Sequence, residues 1–560
     1  SQIPNIYYLL SKYRREGILD ILWLYKKPII ESKTKKKGKK TDILESFFET
    51  VDISRVYYEE SDRVLGNTYG MLVIEDFEGM TPNILAQSIE TVKGGGIIAI
   101  LLKKNMESYE MDIYNKYGNK DEIIPRFNTR LYKSLINSKF TIVLNDSLDV
   151  LSYNPNKKEK SMKIDNPSNI IGNNGGIVNI GINDEQRNII KEFIEIINTR
   201  SDDKRIISLT AARGRGKSAV MGLIVANAID LNYSTIRIAS PRIENVRTLF
   251  NFIKKGLLFL GYEEKKDFEI EYILSQRNIN KIIVKRKYKQ TIEYLDPSVD
   301  MKINPDLLII DEAAAIPLVN LKKLLTANLI FMASTINGYE GTGRVLTTKL
   351  FNELRKKSKS NEPFVFEEMK LEEPIRYSTN DPVEKWLNKI LILDGTPKNI
   401  NACPPPGDCE LFCVNRDILF SYHSHSENFL KDLISLFVAS HYKNSPNDIQ
   451  LMADAPNHAV FVLLTPVYDE ERQMPEILCA IQIAFEGKNR NRNGNIIPWI
   501  LAEKCLKKEF LDKVGVRIVR IAVHPDYLSM GYGTKALELL EKLFKNGMSN
   551  SDNNNNLSCK

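Results

Sequence analysis

The chain has 560 residues, 43% of them hydrophobic and 27% charged, and a formal net charge of +7 from 78 Lys and Arg against 71 Asp and Glu. That length exceeds what one core supports, so about two to four domains are expected. No run of about 18 apolar residues offers a membrane span, the amino-terminal SQIPNIYYLLSKYRRE does not read as a secretory signal, and so mild a positive charge permits a nucleic-acid partner without demanding one.

The first 151 residues alternate strand-like and helix-like segments, which predicts an α/β domain with a parallel sheet. MLVI (71–74), GIIAILL (96–102) and TIVL (141–144) read as buried strands. Thr81 and Pro82 open a helix as N-cap and first helical residue. The basic run KTKKKGKK (33–40) reads as a solvated flexible loop in preference to an RNA-binding arm. Residues 152–183, rich in Asn, Lys, Gly and Ser, are expected to be a linker.

A second α/β domain is expected over 184–400. RIISLT (205–210) reads as a buried strand that runs into AARGRGKS (211–218) and then a helix. Strand, glycine-rich loop and helix in that order match the P-loop, with Ala211 in place of the first glycine. Gly214 and Gly216 let backbone N–H groups turn around phosphate oxygens, Lys217 reaches the β- and γ-phosphates, and Ser218 ligates Mg²⁺. LLII (307–310) is a second buried strand and ends at Asp311, placed to hold Mg²⁺, and Glu312, placed to polarise the attacking water. The strand LIFMA (329–333) ends at Ser334 and Thr335, a helicase-like position for sensing the γ-phosphate. Gln186 sits at a helix start where helicase-type ATPases read adenine; a solvated helix residue is the equal alternative. For Arg376 the two readings are an arginine finger and a structural ion pair.

PPPG (404–407) marks a rigid break, and a third domain is expected over 401–548. It combines a long helix (427–441) with strands at 459–464 and 477–483, and SNSDNNNN (549–556) reads as a disordered tail. Six cysteines, Cys403, Cys409, Cys413, Cys479, Cys505 and Cys559, include no C-x-x-C pair and read as reduced thiols, not a zinc site. VRIVRIAV (516–523) is β-rich and alternating. It is followed by HPDY (524–527), the loop LSMGYGT (528–534) and a helix. A strand again meets a glycine loop at a helix start, with no Lys-Ser after it.

This last pattern resembles the pyrophosphate loop of the GCN5-related N-acetyltransferases. The resemblance implies that Gly531 and Gly533 let amides approach the pyrophosphate of acetyl-CoA and that Ile521, Ala522 and Val523 pair with its pantetheine arm. Leu528 stands where that family has Gln or Arg. The fold also implies further strands and a helix after residue 544, so the domain is expected to be truncated at its carboxyl end.

The order of the blocks resembles the RNA cytidine acetyltransferase family, specifically its eukaryotic branch. The residues that carry the resemblance are GRGKSA (214–219), LIIDEAAAIPL (308–318), STINGYEGTGR (334–344), LEEPIRY (371–377) and VEKWLN (383–388). VNRDILFSYH (414–423), VASHYKNSPND (438–448) and RIAVHPDY (520–527) are more specific, and RVLGNTYGMLVIEDFEGMTPN (63–83) and ETVKGGG (90–96) match at the amino end. The resemblance implies ATP-driven N4-acetylation of cytidine in small-subunit rRNA and tRNA. It places ATP contacts on Gln186, Arg213, Gly214, Arg215, Gly216, Lys217, Ser218, Ala219, Val220, Met221, Gly222 and Arg376. It places acetyl-CoA contacts on Ile521, Ala522, Val523, Leu528, Ser529, Met530, Gly531, Tyr532, Gly533 and Thr534. A nuclear and nucleolar location follows from the resemblance alone, and a tRNA adaptor protein and a homodimer are compatible with it.

The chemistry so implied needs a base near the cytosine amine. His441, at the end of a helix in a polar block, is the favoured candidate, with His458, His524 and Asp454 as alternatives; a structural hydrogen-bonding role is the competing reading for each histidine. The alternative function is an RNA-remodelling ATPase or ribosome-assembly factor without transfer chemistry.

Overall fold

The computed structural model describes residues 2–13, 20–27, 43–64, 67–117, 122–153, 176–199, 201, 203–273, 278–300, 303–335, 350–360, 363–400, 403–440, 444–469, 474–487 and 495–545. The basic run 33–40, most of the expected linker, His441 and the Asn-rich tail lie outside them. Among the described residues no helix is long and apolar enough to cross a membrane. The chain gathers into two compact units, 1–158 with 380–560, and 159–379.

In the first unit, the amino-terminal sheet holds β1 (Ile21–Tyr25), β2 (Ile53–Tyr57), β3 (Tyr69–Ile74) and β4 (Val92–Ile100) in the order β2-β1-β3-β4. All three pairings are parallel. The central strands β1 and β3 read ILWLY and YGMLVI because a parallel strand covered on both faces needs apolar side chains at nearly every position, and all six residues of β3 are buried. The 96–102 strand differs from expectation. It begins at Val92, lies at the sheet edge and is only half-buried, because among the described residues β4 has a neighbour on one side alone. The helix Pro82–Ile89 starts as the sequence predicts, with the Ile84 N–H donating to Thr81 Oγ1 at 3.4 Å.

The expectation of a third buried strand at 141–144 is wrong. β5 (Ile142–Leu144) pairs with β6 (Val150–Tyr153) in a separate two-stranded antiparallel ribbon. Ile142 is 56% exposed and Leu144 40%. Four apolar letters fit a strand, but they do not say what covers it.

The third sheet, β15 (Glu410–Cys413), β16 (His458–Asp469), β17 (Met474–Glu486) and β18 (Gly515–Val523), is antiparallel in that order. Helix Tyr532–Lys545 sends Tyr532, Ala536 and Leu540 into a core with Phe461, Leu463, Cys479, Ile481 and Ile483. Helix Ser424–Ser440 lies against β17 and β18. The pairing of β18 skips Val519, between Ile518 and Arg520, a bulge that bends the edge strand.

One buried ion pair ties these layers together. Arg130, on helix Arg126–Ile136, donates from Nε and Nη2 to the two oxygens of Glu427 at 2.7 and 2.8 Å, and from Nη1 to the Ile390 carbonyl at 2.5 Å. Both side chains are buried. Removing one partner strands the other charge, so Glu427→Gln is expected to lower stability by about 3–5 kcal/mol. Urea denaturation read by tryptophan fluorescence checks this: Trp386, whose indole N–H donates to Ser134 on the same helix, reports on the region.

The second unit is built on one eight-stranded sheet. Its strands are β7 (Lys204–Ala211), β8 (Thr235–Ala239), β9 (Phe268–Ile273), β10 (Asn278–Val284), β11 (Gln290–Leu295), β12 (Leu307–Ile310), β13 (Leu329–Thr335) and β14 (Phe364–Leu371), in the order β14-β7-β13-β12-β8-β11-β10-β9. From β14 to β11 all neighbours are parallel; β10 runs antiparallel to both β11 and β9. The parallel sheet expected from sequence is therefore extended by an antiparallel ribbon. The end of the expected linker is also packed: Ile177 is buried in the core of this unit.

Candidate nucleotide and coenzyme sites

Chain order and strand order disagree around β7, whose next strand in sequence, β8, lies to one side and β14 to the other. A crevice opens outside the carboxyl ends of strands at such a switch point. There β7 feeds residues 212–216 into helix Lys217–Asp230. Gly214 (φ 70°) and Gly216 (φ 84°) adopt the left-handed conformation that suits glycine. Gly216 has a second reason to lack a side chain: a Cβ would lie 2.4 Å from Gln186 Nε2 and from Ile375 Cδ1.

The carboxyl ends of β7, β12 and β13 bring the predicted polar residues together. Ser218 Oγ donates to Asp311 Oδ2 at 2.8 Å, and the Glu312 N–H donates to Asp311 Oδ1 at 2.9 Å. Burial, reinforced by the charge on Glu312, pushes Asp311 up to about 6 against the pull of Ser218 and Lys217. Glu312 sits at φ 48°, a strained conformation for a side-chain-bearing residue. Thr335 Oγ1, at the end of β13, donates to its carboxylate at 3.0 Å. Lys217 is buried and, among the described residues, its ammonium donates only to the Ala212 carbonyl, at 3.4 Å. Ser334 Oγ is buried and has no hydrogen-bond partner among the described residues. A weakly held ammonium, an orphaned hydroxyl and a hydroxyl–carboxylate pair fit a triphosphate with a divalent cation. Ala219, Val220, Met221 and Gly222 form the first turns of the same helix, and Gly222 packs against the Leu249 carbonyl, where a Cβ would lie at 2.6 Å.

Gln186 is buried, not solvated. Its Nε2 donates to the Arg215 carbonyl at 3.0 Å, its Oε1 accepts from the Ile182 N–H at 3.0 Å, and its own N–H is capped by Asn183. The amide thus clamps the loop from behind. The Arg215 guanidinium is turned to the carbonyls of Arg213 and Glu372 and to the Tyr377 hydroxyl, so it braces the loop against 372–377 and leaves only its backbone for a phosphate. Arg376 lies in that segment and its Nη1 is 3.8 Å from a Cβ built on Gly214, beside the loop. The Ile375 N–H donates to the Gly214 carbonyl at 3.1 Å.

In the first unit, β18 pairs with β17 on one side alone among the described residues. Ile521, Ala522 and Val523 lie at the end of this edge strand, whose second row of backbone groups can pair with amides of a ligand. Ser529 (φ 65°) and Gly531 (φ 92°) turn the chain left-handed before the helix that starts at Tyr532. A Cβ on Gly531 would meet only Pro406, at 3.6 Å, and one on Gly533 would meet Val523 at 3.1 Å. Leu528 and Met530 are exposed, Thr534 follows in the first turn, and Tyr532 is buried with its hydroxyl donating to the Pro404 carbonyl at 2.7 Å. An open backbone turn at a helix start, next to a free strand edge, fits a pyrophosphate with an amide-bearing arm.

The alternative bases are committed elsewhere. His524 is buried, with Nε2 2.8 Å from the Lys398 carbonyl and Nδ1 accepting from the Asp526 N–H. His458 pairs with Gln482, and burial lowers it to about 4, so it stays neutral. Asp454 accepts from the Phe127 N–H at 2.9 Å and the Tyr114 hydroxyl at 3.1 Å, between helices Arg126–Ile136 and Asn447–Asp454. Burial pushes Asp454 up to about 7. An unfolded aspartate loses its proton near pH 4, so the folded state loses stability as the pH rises from about 4 to about 7 and levels off above. Asp454→Asn is expected to remove that slope and to add on the order of a few kcal/mol at pH 8, measured by urea midpoints at pH 5 and pH 8.

Three family models match in sequence: tRNA(Met) cytidine acetyltransferase TmcA, N-terminal, over 5–146; RNA cytidine acetyltransferase NAT10/TcmA, helicase domain, over 208–394; and GNAT acetyltransferase 2 over 432–560. The RNA cytidine acetyltransferase of Saccharomyces cerevisiae is 39% identical over 97% of this chain and 60% of its own length. Those of Drosophila melanogaster and Homo sapiens are 41% and 38% identical over the same 97%, and over 58% and 60% of their own lengths.

The chain belongs to the RNA cytidine acetyltransferase family. It spans about three fifths of the length of these relatives. Among solved structures, a large terminase from a thermophilic bacteriophage covers 57% of the chain and 72% of its own at 13% identity and a TM-score of 0.27, too slight a likeness to bear on the fold. The helicase match of this RNA cytidine acetyltransferase family member covers the strands from β8 to β14 and the second half of β7, and the acetyltransferase match covers β16 to β18 and the loop at Gly531. Sequence reasoning missed the link between Thr335 and Glu312; the only signal was a hydroxyl at the end of the strand beside the Asp-Glu strand. Thr335→Val keeps the shape and removes the donor. It is expected to lower kcat for ATP hydrolysis roughly ten- to a hundredfold with little change in KM, measured by steady-state phosphate release.

Proposed function

We propose that this chain carries out ATP-dependent N4-acetylation of cytidine in small-subunit rRNA and tRNA, with Mg²⁺ and acetyl-CoA. The observation that carries the reading is the presence in one chain of two unlike phosphate cradles: the Lys217–Ser218–Asp311–Glu312 cluster and the β18–Gly531 turn. The names of the relatives and the TmcA-type amino-terminal match support the RNA substrates, and a nucleolar location goes with rRNA. A tRNA adaptor and a homodimer are part of the same reading.

When bound, ATP supplies a cleavable phosphoanhydride and acetyl-CoA an acyl group activated as a thioester. Lys217 and the amides of the 213–218 loop bind the phosphates. Ser218 and Asp311 hold the cation, whose charge offsets the burial that raises Asp311. Glu312, held by Thr335, orients the attacking water, and Arg376 lies beside the loop to stabilise charge on the phosphates. In the other unit, the free edge of β18 and the amides of 528–534 orient the coenzyme. The exocyclic amine of cytosine is a poor nucleophile because its lone pair delocalises into the ring, so attack needs close positioning and a base to take the proton. The target nucleobase must also leave its stack, and ATP turnover is proposed to remodel the RNA for that step.

Calorimetric titration with acetyl-CoA tests the reading against a remodelling ATPase without transfer chemistry. Saturable binding that Gly531→Val abolishes is expected; heats no larger than dilution would leave only the ATPase.

A further inference from the structure

The antiparallel ribbon β10–β11 ends in a turn that the nucleotide chemistry does not use. Its residues, Lys285, Arg286, Lys287, Tyr288 and Lys289, are all exposed. β11 runs parallel to the strands that carry the nucleotide cluster, and the turn precedes β11, so it lies at the amino-end edge of the sheet, opposite the P-loop. Val284 pairs with Phe268, and the Lys285 N–H donates to the Asp267 carbonyl at 2.8 Å. The turn is thereby fixed beside the 263–267 turn, which presents Lys265 and Lys266.

Three acidic side chains nearby are already in ion pairs, and the Asp267 carboxylate accepts from the Glu263 N–H at 2.9 Å. Glu269 holds Lys285 at 2.8 Å, Glu263 holds Lys266 at 3.1 Å and Glu264 holds Lys254 at 2.7 Å. Arg286 is fixed over the Tyr262 ring at 4.6 Å. Among the described residues, Lys287 and Lys289 make no ion pair, and Tyr288 stands between them with 41% of its surface exposed. Two free ammonium groups on either side of an exposed aromatic ring, on a ribbon rooted in the ATPase sheet, suit a polyanion that also offers flat bases.

We propose that the 285–289 turn is an RNA contact of the ATPase unit, with Lys287 and Lys289 on phosphates and Tyr288 stacked on a base. This rests on the RNA reading above and locates part of the RNA path at the edge of the ATPase sheet opposite the P-loop.

The test is fluorescence anisotropy of labelled oligouridine with the full chain, titrated between about 50 and 200 mM salt. Lys287→Ala/Lys289→Ala is expected to flatten the plot of log K against log salt by about 1.4, at about 0.7 per phosphate. Tyr288→Ala is expected to weaken binding about tenfold at every salt concentration without changing that slope. Binding of a fluorescent ATP analogue should be unchanged in both, and Lys287→Gln/Lys289→Gln replaces the alanine pair if it is not. Variants that bind oligouridine as the wild type does would overturn the inference while the RNA reading stands. A wild type that binds no RNA removes both. Loss of binding to anionic phospholipid vesicles with RNA binding intact would also overturn it.

Discussion

Lys217→Ala is expected to lower ATP turnover about a hundred- to a thousandfold while leaving the fold intact. The ammonium is buried beside Ser218 and Asp311, yet its hydrogen bond to the Ala212 carbonyl is a long one. Its removal therefore strands little in the protein and withdraws a cation that the loop offers to developing charge on the phosphates. Steady-state phosphate release measures the loss, and an unchanged far-UV spectrum and melting curve confirm that the sheet survives. Turnover within about threefold of wild type would mean that the cluster at β7, β12 and β13 is not the hydrolytic centre. If assembly functions persist in cells carrying the variant while ATP binding as well as turnover is gone, a mere partner switch driven by ATP binding is also excluded.

His441→Ala is expected to lower acetylation about 10²- to 10⁴-fold, the usual contribution of a positioned base, with ATP hydrolysis unaffected. The three alternatives named with it are held by structural partners. His524 is enclosed by the Lys398 carbonyl and the Asp526 amide, His458 is half-buried against Gln482 and held neutral, and Asp454 is locked between two helices by Phe127 and Tyr114. His441 itself lies outside the described residues, directly after helix Ser424–Ser440, which rests on β18 and whose last residue, Ser440, donates to the Val523 carbonyl. Acetylation by His441→Ala at the wild-type rate would dismiss it.

Much of the nucleotide site was legible because it is local. A buried strand, a glycine loop and a helix start are consecutive in the chain, so Gly214, Gly216, Lys217 and Ser218 could be read together, and LLII followed by Asp311 and Glu312 says that a strand delivers two carboxylates to one edge. What needed coordinates is long-range. Gln186 read as adenine contact or surface residue because nothing near it in sequence reveals the Arg215 carbonyl 29 positions away. The bracing role of Arg215 depends on Tyr377, and the rivet of Arg130 on Glu427, 297 positions on. Apolar pattern also failed where burial is set by neighbours: TIVL predicted a core strand and forms an exposed ribbon, and the 268–295 strands gave no sign that their middle member reverses direction. The histidines show the same limit from the other side. Residue type suggested chemistry, and the partners assigned two of them to structure.

The most direct test of the whole account is mass spectrometry for N4-acetylcytidine on small-subunit rRNA and tRNA incubated with this protein, ATP and acetyl-CoA. The account predicts the modified nucleoside when both cofactors are present, a loss of it without acetyl-CoA, and a sharp decline with Lys217→Ala. ATP hydrolysis stimulated by RNA with no N4-acetylcytidine formed would contradict it and leave a remodelling ATPase.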